Sequence, residues 1–132
     1  MATNISIFDF YKEDIKKFNE FCEWRGDRVR ENLRRTIIAA LRDEALFNEI
    51  DKEEPVRFKR VPKSEKAQIH VFLEKETRDK FHAMTAKHKE TVVAWLRKYI
   101  RYMSKVYEAE KAKQAAEQAR EKERVANKIW EM

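Results

Sequence analysis

The chain switches between two hydrophobic periods, and it does so twice. Residues 4–10, Asn-Ile-Ser-Ile-Phe-Asp-Phe, begin with polar and apolar positions in strict succession, the period of a strand with one covered face. Apolar residues then recur at helical spacing, with Ile15, Phe18, Phe21 and Cys22 on one side. That run stops at Arg25-Gly26-Asp27, which holds the only glycine of the sequence. A second helix is expected to open at Asp27 or Arg28, to turn Val29, Leu33, Ile37 and Leu41 inward, and to run on to about Ile50.

Residues 51–66 contain both prolines and no periodicity, so they read as a linker. The pattern then begins again. Gln68-Ile69-His70-Val71-Phe72-Leu73 alternates strictly, and Thr77, Phe81, Met84 and His88 follow at helical spacing. Thr91 suits the N-cap of a further helix, because its hydroxyl can accept from the free amides of the first turn. Val92, Leu96, Ile100 and Met103 renew the apolar stripe.

The two passes superpose with a shift of 64 in the strand (68 − 4) and 63 beyond it (81 − 18). Asn4 then falls on Gln68, Ile5 on Ile69, Ile7 on Val71 and Phe8 on Phe72. After the one-residue slip, Phe18 falls on Phe81, Val29 on Val92, Leu33 on Leu96 and Ile37 on Ile100. The expected organisation is a strand–helix–helix unit over 1–50, a basic linker over 51–66, a second unit over 67–104 and a charged helical tail over 105–132. The fold class is mainly α with one small β element.

A single strand in each unit needs a neighbour for its backbone donors and acceptors. Two units supply two strands, which are expected to pair as an antiparallel ribbon. Ile5, Ile7, Ile69, Val71 and Leu73 would face the helices. Asn4, Ser6, Phe8, Gln68, His70 and Phe72 would stand on the uncovered face. A two-stranded ribbon fits the major groove, where amide and imidazole groups can pair with base edges. The linker of about 16 residues reaches roughly 50 Å when extended, so pairing within one chain and between two chains are both open.

At this point the chain resembles the ribbon-helix-helix family of the Arc and MetJ type. Gln68-Ile-His-Val-Phe-Leu looks like the family strand, Glu76 to His88 like its first helix, and Thr91-Val-Val-Ala-Trp-Leu-Arg-Lys-Tyr-Ile like its second. Residues 4–42 carry the likeness more faintly, and a tandem arrangement is similar to the TraY type of conjugation accessory protein. The resemblance implies that outward strand residues read bases and that the start of the second helix holds a phosphate. Those roles would pass to Gln68, His70 and Phe72, and to the turn at Thr91. Two features depart from the family pattern. His88-Lys89 stands where the family has a turn glycine, and Phe occupies the third outward position in both strands. Phe8 and Phe72 could meet thymine methyl groups, wedge between base steps, cover an apolar partner, or turn inward through a bulge.

Charge adds a direction to this picture. Thirty Lys and Arg against twenty-four Asp and Glu leave +6, a moderate bias toward a polyanionic partner. Within 56–66, five cations face one carboxylate, and Lys63 and Lys66 are candidate phosphate contacts. Arg28, Arg30, Arg34 and Arg35 offer either phosphate contacts near the first helix break or a solvated face neutralised by Glu31. The tail has nearly balanced charge and sparse apolar anchors at Val125, Ile129 and Trp130. It reads either as a solvated extension or as a grip for a second protein or a second copy.

The remaining chemistry is spare. Cys22 sits among apolar residues and reads as a buried thiol. With one Cys and no clustered carboxylate–His spacing, no metal site is expected, and no cofactor. Neither a Gly-rich phosphate loop nor an activated nucleophile can be named, so the chain is not read as an enzyme. No apolar run approaches the roughly 18 residues of a membrane span, and Met-Ala-Thr-Asn-Ile-Ser lacks the features of a signal peptide. A cytoplasmic location is expected. The expected function is sequence-specific binding of double-stranded DNA, in transcriptional repression or in plasmid transfer and maintenance. The competing class is a helical scaffold whose strands merely tie two helix pairs together.

Overall fold

The computed structural model describes residues 3–130, so Met1, Ala2, Glu131 and Met132 at the ends of the expected first unit and tail lie outside the described residues. Thr3–Tyr11 forms β1, followed without a loop by α1 at Lys12–Trp24 and then α2 at Val29–Arg42. A short α3 at Glu44–Asp51 precedes the linker. A single 3-10 turn at Lys63–Glu65 leads into β2 at Lys66–Glu74, α4 at Lys75–Lys87 and the 39-residue α5 at Val92–Trp130.

Two expected boundaries move. The second helix does not run unbroken to Ile50: Asp43 takes an extended conformation, and its carboxylate accepts from the amide of Ala45 (3.1 Å), so it caps a separate α3. Lys66 belongs to the second strand rather than to the linker. The tail is helical and continues α5 through residues 104 and 105 without interruption, as its reading as an extension of the preceding helix expects.

β1 and β2 pair antiparallel within the chain, with Asn4 opposite Leu73, Ser6 opposite Val71, Phe8 opposite Ile69 and Phe10 opposite Ala67. This set faces the helices, where Phe10, Val71 and Leu73 are buried. The core beneath is aromatic. Trp95 stacks on Phe47 at 5.3 Å with the rings nearly parallel, and Phe81 meets Trp95 edge-on at 5.3 Å. The indole N–H of Trp95 donates to the Phe47 carbonyl (3.2 Å), so the polar end of the largest buried side chain is satisfied. Tyr99 donates its hydroxyl proton to Asn32 Oδ1 (2.6 Å) and lies 3.0 Å from Thr36 Oγ1, tying α5 to α2. Cys22 is buried as expected, and burial pushes its thiol up to about 12.

A constant offset runs through the elements. The strands begin at Thr3 and Lys66, the first helices at Lys12 and Lys75, and the second at Val29 and Val92, each 63 apart (66 − 3, 75 − 12, 92 − 29). The turns between the helices match as well. Gly26 and Lys89 both take positive φ, +69° and +58°. In the first turn Asp27 N–H donates to the Cys22 carbonyl and Gly26 N–H to Glu23. In the second, Glu90 N–H donates to Thr85 and Lys89 N–H to Ala86. Both are Schellman caps, which use a left-handed residue to satisfy the last helix carbonyls.

The two caps differ in cost. Glycine adopts the left-handed region freely, whereas a side chain there loses about 1–2 kcal/mol. Gly26→Ala should therefore destabilise the protein by about 1 kcal/mol, although no atom stands within 4 Å of the added methyl. Lys89→Gly should stabilise it by a similar amount. Denaturant titration of both variants checks this, and two unchanged midpoints would mean that the turns store no such strain.

Candidate nucleic-acid interface

The uncovered face of the ribbon carries the opposite parity. Reading across the strands, Ile5 lies opposite Phe72, Ile7 opposite His70 and Asp9 opposite Gln68. The outward placement of Gln68, His70 and Phe72 agrees with the alternation in the second strand. The first strand is the reverse of what its alternation suggests. Asn4, Ser6 and Phe8 face the helices, where Ser6 and Phe8 border a small hollow with Leu73, Phe81 and Val92. Ile5 and Ile7 are the outward residues.

The cause is local competition within one strand. Asn4 to Ile7 offers Ile5 and Ile7 for burial, whereas Phe8-Asp9-Phe10 offers two aromatic rings on the other face. A strand can bury only one parity, and a one-residue slip exchanges the two sets completely. Two phenylalanines carry more apolar area than two isoleucines, and the opposite parity would bury Asp9 with them. The phenylalanine parity wins. The strand shift of 64 contains the same reversal, since the constant offset of 63 places Ile7 with His70 rather than with Val71.

Asp9 contributes little to the outward face. It is half-buried, and its Oδ1 lies inside the protein without a hydrogen-bond partner. Arg97 stands beside it, donating Nε–H to the Asp9 carbonyl (2.9 Å). The same guanidinium lies 3.7 Å from the centre of the Phe58 ring, and Phe58 also packs edge-on against Tyr11. Tyr11 in turn donates its hydroxyl to the Arg57 carbonyl. This anchor, which no periodicity signals, fixes the linker against the end of the ribbon. Arg57, Lys59, Arg60 and Lys63 are thereby held exposed close to it, while Lys66 keeps its ammonium 5.7 Å over the Phe58 ring.

On the flank of β2, a groove of about 550 Å³ runs between the strand and the start of α2, and Phe72, Arg28, Arg30 and Arg34 all border it. Arg28 occupies the N-cap position of α2. Arg28 and Arg30 form no ion pair among the described residues, whereas Arg34 lies 3.9 Å from Glu31. Arg35 is not a free cation, because it is paired with Asp27. Burial works against the charge on Asp27. Hydrogen bonds from Asn32, the Arg28 amide and Arg35 outweigh it and hold the carboxyl below the usual carboxylate range. The corresponding pair 63 residues on is Lys98 with Glu90, at 2.9 Å. Thr91 accepts from the Ala94 amide (3.2 Å), so it caps α5 as its position suggests.

The structure thus gathers Gln68, His70 and Phe72 on one face and brings Phe72 to the groove of Arg28. Lys63 lies in the turn leading into β2, and Thr91 belongs to the other helix start. A larger groove of about 930 Å³ lies by the inner side of β2, between α1 and the 3-10 turn. Its rim mixes Lys12 and Lys16 with Glu13 and Glu65. Among the described residues no cluster of three His, Cys, Asp or Glu could hold a metal ion, and no helix is long and apolar enough to cross a membrane.

The face assignment is open to direct test. Ile7→Asp should leave the melting temperature within a few degrees of wild type, because the carboxylate is delivered to water. Phe8→Asp, one position along, should unfold the protein or cost more than about 3 kcal/mol, since it puts an unpaired charge against the core. Circular dichroism melts decide the matter, and the reverse ranking would restore the opposite parity.

Comparison of the chain with family models, curated proteins and solved structures finds no match.

Proposed function

We propose that this protein binds double-stranded DNA in a sequence-specific manner, laying its two-stranded ribbon in the major groove. The observation that carries the reading is the ribbon itself: one face is packed on helices, and the other is free and bordered by the arginine-bearing start of α2. A ribbon of this width enters the major groove, and helix starts beside it are suited to phosphates. Gln68 and His70 supply hydrogen-bonding groups for base edges, while Arg28, Lys63, Lys66 and the capped turn at Thr91 supply the backbone contacts that fix register.

The arrangement is read as a tandem ribbon-helix-helix protein, both halves in one chain. The uniform offset of 63, the paired Schellman turns and the matching ion pairs Asp27–Arg35 and Glu90–Lys98 support that reading. A role in repression or in plasmid transfer and maintenance suits such a protein. The second reading, a scaffold without base readout, is favoured by one specific observation: the outward residues of β1 are Ile5 and Ile7 rather than polar groups.

Gel-shift titration separates the two. The paired change Gln68→Ala with His70→Ala should keep the fold and the weak binding to any duplex. It should lose about 1–3 kcal/mol of preference for the cognate site per lost base contact. Arg28→Ala and Lys63→Ala should weaken binding on every sequence alike and lower the log–log salt slope by about 0.9 for each phosphate released. Preference and slope that both stay at wild-type values would mean that the ribbon is not the reading head, and a wild-type chain that prefers no duplex would favour the scaffold.

A further inference from the structure

The uncovered ribbon face is chemically divided. Ile5 is 55% exposed, Ile7 56% and Phe72 48%, and the register sets Ile5 directly across from Phe72, with Ile7 two positions along the strand. These three form a continuous apolar patch on a face that nothing among the described residues covers. Gln68 lies at the other end of the face, and His70 adjoins the patch opposite Ile7. Only Asp9 breaks the apolar side, and one of its oxygens is turned into the protein.

Charge indicates what covers the patch. Arg28 and Arg30, neither in an ion pair among the described residues, border the groove that Phe72 shares. Arg57, Lys59, Arg60 and Lys63 are exposed in the linker anchored at the end of the ribbon. An apolar strip with cations on its flanks fits a surface that is itself apolar in the middle and anionic at its edges. The major groove over thymines has that character, since each thymine projects its C5-methyl into the groove between two phosphate backbones. Resting on the reading of the ribbon as a DNA-binding face, we infer that Ile5, Ile7 and Phe72 read thymine methyl groups. Gln68 and His70 then read hydrogen-bonding edges in the remainder of the site. Because the two strands carry unlike residues, the recognised sequence is not a palindrome, and its thymines cluster in one half.

The test uses the full chain and a pool of random duplexes about two helical turns long, selected over several rounds. Each thymine of the enriched duplex is then replaced in turn by deoxyuridine, which removes the methyl and leaves every hydrogen-bonding group. The expected result is an asymmetric site in which uracil weakens binding about fourfold per position in one half, the worth of one buried methyl, and has no effect in the other. Ile5→Ser with Ile7→Ser should abolish that sensitivity while melting like wild type, and Ile7→Thr, which keeps the β-branch, should reduce it partially. A palindromic site, or uracil tolerated at every position by a protein that still selects a sequence, overturns this inference and leaves the DNA-binding reading standing. If no duplex is enriched, both fall. Loss of self-association in the serine variant, measured by sedimentation, would instead assign the patch to a second copy of the chain and overturn the inference as well.

Discussion

The antiparallel ladder between Thr3–Tyr11 and Lys66–Glu74 is the constraint on which the rest of the molecule depends. Neither strand has another partner among the described residues, so each owes its existence to a segment some sixty residues away. The ladder also chooses which side of each strand faces inward, and so selects the core. With Asn4 opposite Leu73, the inner set becomes Phe8, Phe10, Ile69, Val71 and Leu73, and both helix pairs must close over it from the same side. Because α1 and α4 start on the residue after each strand, the ladder fixes the entry of both helices too. The linker anchor at Phe58 and Arg97 lies at the end of this ladder and closes the connection between its strands.

Much of this is legible in the residues. The strict alternation of Gln68 to Leu73 yields the correct outward set, because its three apolar side chains share one parity. β1 is harder to read because apolar residues occupy both parities, and the decision rests on the aromatic pair at its end. The residues still hold a usable signal: extending the helix shift of 63 back into the strand places Phe8 on Val71 and Phe10 on Leu73, with the charged Asp9 on the opposite parity. The break at Asp43 is hidden because the buried Ala40, Phe47 and Ile50 keep helical spacing across it. A capping carboxylate on an exposed helix face looks like any surface aspartate until its backbone is seen to be extended. The Arg97–Phe58 stack has no periodic signature at all.

The second helix pair carries an electrostatic addition that the first lacks. Lys98 is buried and lies 2.9 Å from Glu90, the counterpart of the Arg35–Asp27 pair, but it also reaches Asp51 at 3.3 Å at the end of α3. A hydrogen bond from Glu90 and the charge of Lys98 hold the Asp51 carboxyl low, whereas burial drives Glu90 up. One ammonium shared between two carboxylates avoids leaving an isolated buried charge, the costly case for ion pairs away from water. The same cluster gives α3 a polar fastening to the turn before α5, while Phe47 gives it an apolar one.

The tail obeys a different logic. From Glu108 to Trp130 every side chain of α5 is exposed, so no packing offsets the entropy of its order. It begins as a continuation of a helix already nucleated in the core, which removes the main barrier to helix formation. Alanines and long charged residues, the strongest helix formers, then extend it, and an Arg124–Glu121 pair at 2.9 Å adds local support. Tail and ribbon differ in the surfaces they present. A solvated helix of mixed charge presents similar groups on all sides, whereas the two strands of the ribbon present unlike residues in a fixed register. A symmetric pair of identical strands would have to repeat one set of side chains in both halves. Joining the strands in one chain lifts that restriction, and the sequence uses the freedom: Ile5 and Ile7 occupy the places that Gln68 and His70 hold in the other strand.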